Sequence, residues 1–110
     1  MSERKDAAPQ KQKYSFPSTT TMSYVFKLAI VEDKPIMMDY WTASLDKTAF
    51  VGVKEPLPTD PKKNESLLVK SDEEFTSPIS KKYQSDKEFI IVTENSIYVV
   101  SADIPHKKIS

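Results

Sequence analysis

Side chains able to carry catalysis are few in this chain. Its single histidine, His106, stands between Pro105 and Lys107 close to the last residue. A histidine acts as a general base when a nucleophile lies within hydrogen-bond reach, and none is near it in sequence. The adjoining Lys107 and Lys108 favour its neutral form without building a site, so a solvated tail is expected. Asp39, next to Tyr40 and Trp41, is the carboxylate best placed to join a second acid in hydrolysis, with a ring nearby to stack on a sugar or base. The plainer account puts Asp39 on an exposed or edge face, where a charge discourages unwanted strand pairing. Asp72, Glu73 and Glu74 cluster without the spacing of a calcium loop, and such a turn is ordinarily just hydrated. With no cysteine there is no thiolate, disulfide or sulfur-rich zinc site, and with Gly52 as the one glycine neither phosphate-binding loop can be written. The chain reads as non-enzymatic, with no catalytic residue, metal or cofactor expected.

Binding chemistry is better represented. Met37, Met38, Tyr40 and Trp41 fall together, and aromatic and methionine side chains anchor protein interfaces because they bury large areas with few rotors to freeze. Core packing is the alternative use for the same residues. Tyr14-Ser15-Phe16-Pro17 has the look of a short anchor whose two rings seek a groove. These six residues, Tyr14, Phe16, Met37, Met38, Tyr40 and Trp41, are the candidate partner-binding set. Asn64-Glu65-Ser66 matches a glycosylation sequon and Ser77-Pro78 a proline-directed phosphorylation site, both short enough to arise by chance.

The elements that would carry them are mostly strands. At 110 residues the chain fits one domain with one core, and 16 basic against 16 acidic side chains leave no net field to attract nucleic acid or an anionic membrane. No window approaches the roughly 20 apolar residues of a membrane span, and the first residues are too polar for a signal peptide, so an intracellular, non-secreted protein is expected. Residues 1–21 hold Tyr14 and Phe16 as their large apolar side chains and read as an extended or disordered arm; residues 22–110 read as a β domain. Prolines fall between apolar stretches of strand length. Tyr24 to Val31 alternates with period two, predicting a strand; Ile36 to Leu45 predicts another, with a helix as its rival; Thr48 to Lys54 and Ser66 to Lys70 follow. Gly52 removes a side chain from its strand face, which suggests a bulge or the close approach of another group there, with Trp41 as the candidate neighbour. Glu55 to Asn64 reads as a proline-rich loop. Phe75 to Gln84 is equally readable as a helical turn or an extended piece.

Phe89 to Val100 is the clearest element. Pairing Thr93 with Ser96 across Glu94-Asn95 sets Val92 opposite Ile97 and Ile90 opposite Val99 on one face, with Ile91 and Tyr98, Phe89 and Val100 on the other. Asn95 is expected to take a left-handed backbone. Both faces are apolar, so one layer of the chain's own second sheet would leave the other face to more strands, an arm or a partner. The expected fold is all-β, a small sandwich or barrel of about six short strands behind an N-terminal arm.

Phe26 to Ile104, through Met38-Asp39-Tyr40-Trp41, Phe50-Val51-Gly52-Val53, Leu68-Val69-Lys70, Phe75-Thr76-Ser77-Pro78-Ile79 and Glu88 to Val100, resembles a group of small uncharacterised proteins of large double-stranded DNA viruses. The resemblance implies a virion component, a minor capsid protein cementing larger shell subunits, located in the virion or the host cytoplasm. Its partners would be other proteins, in homo- or hetero-oligomers, with no nucleic acid and no membrane span. An adaptor of the pleckstrin-homology kind, binding lipid or peptide, is the second reading, suggested by the hairpin; the residues after Ala102 are too short and proline-broken for the closing helix of that fold. A small hydrolase built on Asp39 ranks last.

Overall fold

The computed structural model describes residues 15–54 and 65–109. The chain is predominantly β: eight strands in two four-stranded sheets, with two helices, among the described residues. In chain order the elements are α1 (Thr19–Glu32), β1 (Ile36–Met37), α2 (Trp41–Leu45), β2 (Phe50–Lys54), β3 (Glu65–Ser71), β4 (Glu74–Phe75), β5 (Ile79–Ser85), β6 (Glu88–Thr93), β7 (Ile97–Ser101) and β8 (His106–Lys108). The first sheet runs β1-β7-β6-β5 and the second β4-β3-β2-β8. Neighbours are antiparallel except β1 with β7 and β2 with β8, which are parallel.

The β6-β7 hairpin takes the register its sequence predicts, Ile90 opposite Val99 and Ile91 opposite Tyr98, with the Thr93 amide donating to the Ser96 carbonyl at 2.9 Å. Its turn is made differently. Asn95 is not among the residues of positive φ; instead the Thr93 hydroxyl accepts from the Asn95 and Ser96 amides, so a side chain supplies the turn without left-handed backbone. In the β5-β6 turn Asp86 does take a positive φ, at 52°.

Both faces of this hairpin are covered by the chain itself, the second by a helix rather than by the further strands, arm or partner expected. Ile91 and Val100 face the second sheet and pack with Tyr40, Ala49, Val51, Leu68 and Ile104. Ile90, Val92, Ile97 and Val99 face the other way and pack under Val25 of α1 and Trp41 of α2. The first sheet is therefore the middle of three layers, with the second sheet on one side and α1 on the other.

The covering helix is the segment whose alternation predicted a strand. Ser18 caps it by accepting from the Thr21 amide at 3.1 Å, and Asp33, at φ 57°, ends it in the left-handed conformation with Pro35 following. Thr21 and Val25 are buried, and Met22, Leu28 and Ala29 are packed beside them, positions three and four apart that form one helical stripe. Nearly every residue from Tyr24 to Val31 is apolar, so either period can be read there. What selects the helix is the apolar outer face of β6 and β7, where burying Val25 alone contributes about 1.5–3 kcal/mol.

Further differences follow from long-range packing. Ile36 to Leu45 is divided between the two-residue β1 and the single-turn α2, so the helical rival describes its second half. Residues 15–21, expected in the arm, lead into and begin α1; residues 1–14, with Tyr14, and the predicted loop at 55–64 lie outside the described residues. Phe75 to Gln84 is extended, with a bulge between Ile79 and Lys81 that lets Ile79 and Lys82 both face the second sheet. Gly52 is approached by Ile109 and Val69 rather than Trp41: an added Cβ would lie 2.8 Å from Ile109 Cδ1.

Candidate functional site

The six candidate partner-binding residues do not form one site. Tyr14 is outside the described residues. Phe16 is 78% exposed, whereas Tyr40 and Trp41 are core residues at 5% and 6%. The Trp41 indole Nε1 donates to the Ser15 carbonyl at 2.8 Å, tying the start of the described chain to α2. Tyr40 meets Tyr98 edge to face at 5.2 Å, and burial, with Tyr98 and Asp39 nearby, pushes its phenol up to about 12. Of the outward patch expected from residues 37–41, Met37 and Met38 remain, each about two-fifths exposed.

Catalytic candidates fare no better. Asp39 is exposed on a turn, its carbonyl accepting from Lys70 Nζ at 3.4 Å. His106 is in strand β8 rather than a loose tail: Lys82 Nζ stands 3.2 Å from its Nε2, and its ring meets Phe89 edge-on at 6.3 Å. Partial burial and the Lys82 charge hold its pKa below the ordinary histidine value. No group of three or more metal-ligating side chains occurs among the described residues.

The surface with binding character is one that periodicity obscured. Along α1, Tyr24, Phe26, Ile30 and Val31 point outward and are 50–81% exposed, and Lys27 is the one charge among them. The solvent face of a helix is normally polar, so four large apolar side chains within eight residues require a reason. Tyr83, on strand β5, adds a further exposed ring beside them.

Between α1 and β5 the surface opens into a groove of about 440 Å³ lined by Tyr24, Lys27, Leu28, Val31, Tyr83 and Ile90, with Gln84 and Ser85 at one end. Its walls are fastened at both ends. At the start of α1, the buried Thr21 hydroxyl lies 2.6 Å from Glu88 Oε1 and 3.1 Å from Ser85 Oγ, and Ser18 Oγ donates to Asp86 Oδ2 at 2.6 Å. At its other end Glu32 meets Lys81 Nζ at 2.9 Å, which holds the Glu32 carboxyl below and the Lys81 ammonium above their usual ranges. Val25 sits over β6 and β7, so the β5 side is left half covered and the groove is the gap. Comparison of the chain with protein families, curated proteins and solved structures finds no match in any of the three.

Proposed function

We propose that this protein is a non-enzymatic interaction module whose docking surface is the outer side of α1 together with its groove against β5. The observation that carries this reading is the exposure of Tyr24, Phe26, Ile30 and Val31 on a helix whose opposite face already packs on the core through Val25. Water is a poor neighbour for such a face, and burying it against a second protein recovers the free energy of desolvation. The near absence of charge on it favours a protein partner over a nucleic acid. A shell-cementing role, as the viral resemblance implies, is one form of this reading and would use the same surface.

A photo-crosslinking residue placed at position 26 or 30, with one at the exposed Lys47 as control, tests it. In extract of the producing cells, discrete adducts from positions 26 and 30 and none from 47 are expected. Equal patterns from all three positions, or no adduct at any, overturn the reading.

A further inference from the structure

Beside the groove, strand β5 is the outer strand of its sheet, and at seven residues it is the longest open edge among the described strands. In its register with β6, Ser85 pairs with Glu88 across a two-residue turn, so Ser85, Tyr83 and Lys81 turn their backbone groups inward to β6. Lys82 and Gln84 turn theirs outward, and among the described residues neither main chain has a partner on that side. Open main-chain donors and acceptors thus run along the same rim whose other wall is the apolar flank of α1.

We infer that an extended segment of a partner protein adds to β5 as a further strand, with alternate apolar side chains in the α1-β5 groove and a carboxylate against Lys27. This rests on the docking reading above and names the partner's chemistry. Strand addition at an open edge draws affinity from main-chain hydrogen bonds and specificity from pockets for every second side chain, and a groove between an edge strand and a helix supplies both. Charge selects the occupant. Lys27 lines the groove and has no ion pair among the described residues, whereas Lys81 is taken by Glu32 and Lys82 faces the second sheet. A carboxylate on the incoming strand would meet Lys27, so a strand carrying an acidic residue is favoured.

The probe is a displayed library of random dodecapeptides panned on the full chain. Enriched sequences that alternate apolar and other residues over at least three repeats, with Asp or Glu among them, are expected. Addition of the best such peptide should slow amide exchange of Lys82 and Gln84, read by NMR. Lys27→Glu, on an exposed position, should weaken binding about tenfold, equivalent to 1.4 kcal/mol. Gln84→Pro should weaken it at least as much by removing an outward donor; where that variant melts early, N-methylation of alternate peptide amides replaces it, and one of the two methylation registers should abolish binding while the other is tolerated. Enrichment of sequences with helical apolar spacing, no enrichment at all, or indifference to both methylation registers overturns strand addition. Should that happen while the crosslinks from positions 26 and 30 persist, the docking reading stands without it; loss of both removes both.

Discussion

Replacing Thr21 by Val removes one hydroxyl and keeps the side-chain shape. Thr21 is fully buried and Glu88 is 7% exposed, and the 2.6 Å bond between them joins the first turn of α1 to the start of β6. Losing a hydrogen bond to a charged, buried partner costs about 1.5–3 kcal/mol, because the carboxylate stays desolvated with one acceptor site unfilled. In urea this moves the unfolding midpoint by roughly 1 M for a protein of this size. Trp41, the one tryptophan and 6% exposed, reports the transition by fluorescence. A double-mutant cycle with Glu88→Gln isolates the pair, and a coupling energy of about 0.5–3 kcal/mol is expected for groups in direct contact. If Thr21→Val lies within about 0.5 kcal/mol of the parent, as surface substitutions do, residue 21 belongs to a solvated arm and the fastening of α1 described above is wrong.

Asp86→Ala should destabilise by about 1–2 kcal/mol, since it forces a Cβ-bearing residue without local hydrogen bonding into φ 52° and loses the Ser18 contact, while Asn95→Val stays within about 0.5 kcal/mol; thermal melts of both check this. Gly52→Ala should cost about 1–3 kcal/mol by overpacking against Ile109, and Ile109→Ala in the same chain should recover part of the loss in urea midpoint. The lowered pKa of His106 means that the folded state prefers the neutral ring. Its contribution is therefore complete above the unfolded pKa and is lost as pH falls through the lower folded value, so urea midpoints should drop on acidification, and less steeply in His106→Gln. Ile30→Ser, at a position 81% exposed, should leave the melting temperature unchanged while reducing the crosslinked adducts from position 26.

Local pattern settled much of the β architecture. The β6-β7 register, the strands around Val51 and Leu68, and the predominance of strands all follow from alternation bounded by turn residues, which are properties of neighbours in the chain. Cap chemistry was also present in the sequence: Ser18 ahead of the apolar run and Asp33-Lys34-Pro35 behind it are the start and stop marks of α1. Residues 24–31 nevertheless fit two periods, and the choice fell to the outer face of a hairpin more than fifty residues away. The same holds for Tyr40 and Trp41, whose aromatic character suits an interface or a core equally and which the two packed layers drew inward. The sequence alone thus determined which stretches must lose contact with water. Which element each became, and that Tyr24, Lys27 and Val31 should face Tyr83 across a groove, was decided by tertiary structure, because burial is a property of the assembled layers and a side chain's own type cannot say which neighbour will cover it.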